Sequence, residues 1–166
     1  SFTAMQQTFT VAIVLLAKEV DTMYVWAMKA LKKLVWRENV VPALFVTDRE
    51  KAVEKAISLV FPNSAHHLCI WHIENNVIAE CKTSFAPGET EDWSKFMDQW
   101  KEVIWSKTTD EFDANWCQLQ ELLKDREGVL DYLSSRIIPC KERFVEAWAG
   151  AVPHFGTRAT QRVEVS

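Results

Sequence analysis

Asp48 stands where an α/β protein places side chains that do chemistry. It follows the short, β-branched and apolar run 43–47 (ALFVT), and a helix-like pattern begins directly after it. An acidic residue at the carboxyl end of a buried strand lies where α/β sheets bind their ligands. Its carboxylate suits a hard divalent cation, but it can also cap the helix that starts near Arg49 or Glu50. On position alone the cap is the favoured interpretation.

A second set of candidates lies in residues 66–72 (HHLCIWH). Cys69 and His72 have Cys-x-x-His spacing, which lets both side chains approach one metal ion. A closed zinc site needs four ligands, and His66 and Cys81 are the nearby candidates. Packing of Cys69 on a strand and local hydrogen bonding of His72 explain the spacing equally well. We expect the pair to contact one another and to orient the strand-to-helix turn, and zinc binding stays an open alternative.

Glu164 is a further acidic candidate. Thr160, four residues earlier, is a residue type that caps helices, so Glu164 would lie in or just beyond a first helical turn. A carboxylate there most simply stabilises the helix dipole. The surrounding residues 136–166 carry a net charge of +2 within a chain of net charge −4. A basic tail is a weak indication of phosphate contacts, and a solvated surface is the simpler interpretation.

The elements that position these residues alternate in the first half of the chain. Apolar patterning predicts strands at 8–16, 43–47 and 65–69, and helices at 21–37, 50–61 and 70–83. Asp21 or Thr22 is the expected cap of the first helix. Such alternation predicts a sheet of at least three strands with crossover helices. After Pro87 and Gly88 only helical patterns follow, and their aromatic stripes (Trp93, Trp100 and Trp116 among them) are interpreted as core.

Composition limits the class of protein. A chain of 166 residues suits one domain with a sizeable core. Four widely spaced cysteines without a signal peptide indicate reduced thiols in an intracellular protein. The longest apolar stretch, 11–17, is too short to span a bilayer. The chain starts without Met in a strand-like run and stops just after a helix-like opening, so we expect a piece of a longer protein.

Several segments, taken in order, resemble the transposase domain of Mutator-like elements. These are 45–50 (FVTDRE), 61–62 (FP), 68–72 (LCIWH), 8–12 (TFTVA), 24–27 (YVWA), 154–156 (HFG) and 160–164 (TQRVE). Each segment is short, but their order and spacing together are fairly specific. The resemblance covers nearly the whole chain and extends to the plant far-red impaired response family.

The resemblance implies an α/β fold with an RNase H-like, integrase-type core. Residues 1–86 would be a partial core, 87–152 a helical insertion, and 153–166 a return segment and the start of the final core helix. Family members use three acidic residues to hold two Mg²⁺ or Mn²⁺ ions. Asp48 matches the second acid and Glu164 the third, while the first would lie on a strand before Ser1. Arg158 and Arg162 become candidates for contacts with DNA phosphates.

Three functional interpretations follow from the resemblance. The leading one is the catalytic core of a DNA transposase, a nuclear enzyme that cuts and joins DNA. Its expected partners are DNA and further copies of itself. A domesticated relative would keep the fold and regulate transcription by binding DNA without cutting it. A degenerate fragment of an element would have no function. The presence or loss of the first acid in the full gene separates enzyme from regulator, because fold alone does not.

Overall fold

The computed structural model of the protein describes residues 10–36 and 40–151, which divide into two compact units. The first holds the described residues up to Cys69, and the second begins at Ile70. The first unit contains α1 (Asp21–Val35), β1 (Leu44–Thr47), α2 (Lys51–Val60) and β2 (Ala65–Leu68). The two strands run parallel, with Leu44 opposite Ala65 and Thr47 opposite Leu68. Since α2 connects them, the predicted strand–helix–strand unit is confirmed, with ends shifted by one residue at most.

The strand predicted at 8–16 is wrong over its described part. Residues 10–16 adopt no strand, and Ile13 and Leu15 are 83% and 92% exposed. The β-branched run has a high strand propensity, but that propensity expresses how well side chains fit a sheet with paired neighbours. The sheet among the described residues therefore has two strands, where the sequence predicted at least three.

Helix α1 packs on α2, and polar contacts hold the two together. Asp21, expected as a cap, is instead the first helical residue and forms an ion pair with Lys55 of α2, while Val20 occupies the N-cap position without a side-chain hydrogen bond. Further along, Lys32 donates through Nζ to the carbonyl of Val60 at 2.9 Å. This contact satisfies a carbonyl that the end of α2 leaves without a helical partner.

Phe61 is the centre of the core in the first unit. Its side chain is 1% exposed, and its ring lies 4.9 Å from the ring of Phe45 on β1 and 5.6 Å from that of Trp36. Buried Ala52 and Ala56 line the inner face of α2. These contacts pack the end of α2 against β1, the strand that Asp48 follows.

The second unit is helical throughout its described residues. Its elements are α3 (Ile70–Cys81), α4 (Thr90–Trp105), α5 (Thr109–Leu122), α6 (Glu127–Tyr132) and α7 (Glu146–Ala149), with a 3₁₀ turn at Lys82–Ser84, a π-helical turn at Leu133–Ile137 and a 3₁₀ turn at Ile138–Arg143. The prediction that the chain is almost wholly helical after about residue 89 is confirmed up to residue 151. Its core contains the fully buried rings of Phe96, Trp100, Phe112 and Phe144.

The connection from α4 to α5 shows why this unit folds from local signals. Thr108 caps α5 by accepting from the amide of Glu111 at 3.1 Å, and the carboxylate of Glu111 accepts from the amide of Lys107 at 2.8 Å. Buried Ser106 donates to the carbonyl of Glu102 and accepts from the side chain of Asn115. Ser106 thus has hydrogen-bond partners on both α4 and α5, which offset the cost of burying its hydroxyl.

Arg126 ties the start of α6 to the start of α4. Its guanidinium donates to the carbonyl of Ser84 at 2.6 Å, lies 3.1 Å from the carboxylate of Glu89, and covers the ring of Phe85 at 4.0 Å. Hydrogen bonding to Arg126 lowers the pKa of Glu89, and the amide of Ala86 contributes in the same direction. Because one side chain joins three segments, it stabilises their relative positions within the second unit.

Within residues 10–36 and 40–151 no helix is long and apolar enough to cross a membrane. The protein is mostly helical with a small parallel sheet, an architecture compatible with an α/β fold. The sheet is the part of the structure that presents the candidate site.

Candidate functional site

Asp48 is exposed directly beyond the carboxyl end of β1. The strand ends in a firm backbone contact, because the amide of Cys69 donates to the carbonyl of Thr47 at 2.7 Å. Parallel strands whose carboxyl ends meet at one edge leave that edge open to ligands. The geometry therefore presents the Asp48 carboxylate to solvent at the edge where the sequence placed it.

Glu50, and not Asp48, caps the helix that follows. Its carboxylate accepts from the amide of Ala52 at 3.1 Å, and its backbone is extended, as an N-cap residue requires. The capping interpretation of Asp48 is wrong because the chain takes two further residues to turn into α2. With the cap supplied by Glu50, the Asp48 carboxylate has no role at the N-cap of this helix.

A cross-strand hydrogen bond supports the backbone at Asp48. The hydroxyl of Thr47 lies 2.7 Å from Nε2 of His66 on β2 and 2.7 Å from the main-chain carbonyl of Asp48. His66 is opposite Phe45 in the strand register, so its ring reaches diagonally along the sheet to Thr47. This contact joins both strands to the residue that carries the candidate carboxylate.

Three carboxylates act on the phenol of Tyr24 on α1. Burial raises the pKa of the Tyr24 phenol above its usual value, and the charges of Glu19, Glu50 and Asp48 raise it further. Ionisation of the phenol would place a further negative charge near these carboxylates, which disfavours it.

Cys69 and His72 lie on either side of the turn from β2 into α3. Cys69 is fully buried, and the ring of His72 makes an edge-on contact with Trp71 at 4.8 Å. The described residues gather no group of three or more His, Cys, Asp or Glu side chains able to hold a metal ion. The orienting role of the pair stays a prediction. In the same helix, burial raises the pKa of the Cys81 thiol to about 11, which keeps it protonated and unreactive at neutral pH.

Three of the candidate residues lie outside the described residues. These are Glu164, Arg158 and Arg162, all within 152–166. Among the candidate acids, the described residues supply Asp48, a single oxygen ligand of the kind that Mg²⁺ and Mn²⁺ prefer. The described residues therefore supply one carboxylate of the right chemical type for a divalent metal, at an open strand end, but not a full set of ligands.

The sequence reasoning missed His66 and Thr47 as parts of this site. His66 was considered only as a fourth zinc ligand, and Thr47 only as the end of a strand. The available signal was the period of two along a strand, which places alternate residues on one face of the sheet. Pairing 43–47 in parallel with 65–69 would have placed a histidine and a threonine on the same face.

Comparison with known proteins finds a family match for the first part of the chain. This first part contains both strands, the exposed Asp48 after β1, and the Cys-x-x-His turn after β2. The family model of the MULE transposase domain matches residues 1–76. This MULE span includes Asp48, Cys69 and His72, so the resemblance seen in those residues is confirmed, while residues 77–166 lie outside the matched range.

Two curated proteins are similar over more than half of the chain. PKS-NRPS hybrid synthetase cheA of Chaetomium globosum is 38% identical over 91 residues, which is 54% of this chain and 2% of that protein. Protein FAR1-RELATED SEQUENCE 4 of Arabidopsis thaliana is 28% identical over 110 residues, which is 63% of this chain and 14% of that protein. The chain thus spans a small fraction of either relative. No solved structure matches.

The MULE match and the FAR1-related similarity support a transposase-derived protein. A transposase-type domain indicates interaction with DNA in general. Because the match covers only 2% of the synthetase, it does not indicate synthetase chemistry in this chain.

Proposed function

We propose that this chain is part of the catalytic core of a DNA transposase, in which Asp48 helps to hold divalent cations for DNA strand cleavage and joining. One observation carries the proposal. Asp48 is exposed at the carboxyl end of a parallel strand, and Glu50 takes the capping role that would otherwise explain it. A carboxylate in that position suits a metal ion.

The proposed fold is RNase H-like with a helical insertion. The parallel β1–α2–β2 unit supports this assignment, as does a second unit that is helical throughout its described residues. On this proposal the helical unit separates Asp48 from Glu164 in sequence.

Glu164 is proposed as another carboxylate of the same site, and the first acid of the family pattern matches no residue here. Mg²⁺ or Mn²⁺ bound by these carboxylates supplies activation of an attacking water or 3′-hydroxyl and stabilisation of the leaving oxygen. Arg158 and Arg162 would contact DNA phosphates, which position the substrate without reading its sequence. A protein acting on chromosomal DNA works in the nucleus, and transposition complexes contain more than one transposase copy.

A transcription regulator that binds DNA without cutting it is the second candidate. The similarity to Protein FAR1-RELATED SEQUENCE 4 favours it, and such a protein keeps the fold while losing selection on its acids. The two candidates differ in one measurable property, since only the enzyme breaks phosphodiester bonds when a divalent metal is present.

Strand cleavage by the complete protein and by the 166-residue chain tests the proposal. We expect the complete protein to nick supercoiled plasmid DNA with Mn²⁺, and the 166-residue chain to give no detectable nicking, because the chain lacks one of three metal-holding acids. Heat-inactivated protein and EDTA controls exclude a contaminating nuclease. DNA binding without nicking by the complete protein would favour the regulator. Nicking by the short chain that Asp48→Asn abolishes would show that the acids are wrongly assigned.

A further inference from the structure

Two short hydrogen bonds at Thr47 determine where the proton of the His66 ring lies. The Thr47 hydroxyl is 2.7 Å from the Asp48 carbonyl and 2.7 Å from Nε2 of His66. A carbonyl only accepts, and a hydroxyl has one proton to donate. If Thr47 gives that proton to Asp48, then Nε2 of His66 must be the donor in the second contact. The opposite assignment would leave two oxygens 2.7 Å apart with no proton between them.

The strand register explains why this contact forms. Phe45 is opposite His66, and Thr47 is two residues further along β1 on the same face of the sheet. Diagonal neighbours across a strand pair lie within reach of a ring as long as imidazole. The contact is partly buried, which strengthens it relative to a hydrogen bond in water.

As a consequence, the peptide groups on both sides of the Asp48 Cα atom are held in place. The Thr47 carbonyl is held by the amide of Cys69 at 2.7 Å, and the Asp48 carbonyl is held by the Thr47 hydroxyl. The position of a carbonyl fixes the plane of its peptide, so these contacts restrict the backbone dihedrals of Asp48. Those dihedrals limit the side-chain rotamers and thereby the direction of the carboxylate.

We propose that His66 is a positioning residue for Asp48 and acts through Thr47. This inference rests on the proposed role of Asp48 as a metal ligand. His66 donates through Nε2, so that nitrogen neither binds a metal ion nor removes a proton from water. Its contribution is to set the direction of the carboxylate, as outer-shell partners do at metal sites.

The protonation of the ring is measured without any metal. In long-range ¹H–¹⁵N spectra of the 166-residue chain, neutral His66 should show a protonated Nε2 and an unprotonated Nδ1. The Thr47→Val variant, which removes the hydroxyl at nearly equal volume, should lose this preference. A neutral His66 protonated at Nδ1 in the wild-type chain would overturn the inference and leave the role of Asp48 untouched.

Positioning is measured with Mn²⁺ as the probe, through paramagnetic broadening of the Asp48 resonances, which detects even weak binding. Thr47→Val and His66→Leu should need roughly tenfold more Mn²⁺ for half-broadening, the lower end of the loss caused by removing an outer-shell partner. Thr47→Ser and His66→Gln keep a hydroxyl and an N–H donor, so they should behave like the wild type. Amide spectra of all four variants establish that the sheet is intact.

The variants distinguish failure of the positioning role of His66 from failure of the metal-binding role of Asp48. If Asp48→Asn abolishes the broadening but Thr47→Val and His66→Leu bind as the wild type does, the positioning role is wrong and the metal role stands. If Asp48→Asn broadens as the wild type does, Asp48 holds no metal, and both the proposed function and the positioning role fail. Failure of His66→Gln to restore binding would also overturn the donor assignment.

Discussion

Asp48→Asn is expected to reduce metal-dependent strand cleavage by the complete protein at least about 100-fold. Loss of an outer-shell partner alone costs roughly 10- to 100-fold in metal affinity or activity, so loss of the ligand itself should cost no less. Asparagine has nearly the same shape but replaces a carboxylate oxygen by an amide, which removes the charge that a divalent cation needs. Cleavage rates on plasmid DNA at saturating Mn²⁺ measure the effect.

Glu50→Gln is the matched control for this substitution. It removes the same unit of charge from a residue two positions away, while the glutamine oxygen can still accept from the amide of Ala52 and cap α2. We expect cleavage within a few-fold of the wild type. Equal losses for Glu50→Gln and Asp48→Asn would show that the overall negative potential matters, and that Asp48 has no specific role as a ligand.

Trp100→Ala is expected to lower the free energy of unfolding of the second unit by about 3–5 kcal/mol, the usual cost of truncating a buried aromatic residue. Trp100 on α4 is fully buried, and its ring lies 6.4 Å from that of Phe144. Its indole N–H is buried without a hydrogen-bond partner. Hydrogen exchange of the α4 amides during urea titration follows this unit by itself.

Two further substitutions, one at Trp100 and one at Trp105, serve as controls. Trp100→Phe should cost less than Trp100→Ala, because it keeps most of the apolar volume and removes a donor whose burial is unfavourable. Trp105→Ala, at a residue 47% exposed at the end of the same helix, should change stability by about 0.5 kcal/mol or less. A cost below about 1 kcal/mol for Trp100→Ala would contradict the core described for this unit.

The sequence was sufficient where local signals and packing agree. Residues 51–60 have an amphipathic helical pattern between two short runs predicted as strands, and all three elements form as predicted. Helix α5 carries its own cap, Thr108, so its start depends little on distant partners. Asp48 was placed correctly at the end of β1 for the same reason.

Two of the errors depend on pairing between distant segments, and the third depends on the geometry of a turn. The run 10–16 has the composition of a strand, but a strand forms only when its backbone groups find partners. The choice between Asp48 and Glu50 as the cap depends on how the chain turns into α2, and propensity does not fix such a turn to within two residues. The contact between Thr47 and His66 depends on the register of β1 with β2, and a single sequence gives register only through the strand pattern.

The separation of Asp48 and Glu164 in a crystal structure of the complete protein with Mn²⁺ tests the central claim most directly. Two carboxylates that share a metal pair should lie within roughly 10 Å, given ions about 4 Å apart and metal–oxygen bonds of about 2 Å. We predict that separation, with anomalous density for Mn²⁺ beside Asp48. A well-ordered Glu164 more than roughly 20 Å from Asp48 and pointing away from the end of β1 would contradict it, because that gap far exceeds the reach of a two-metal site.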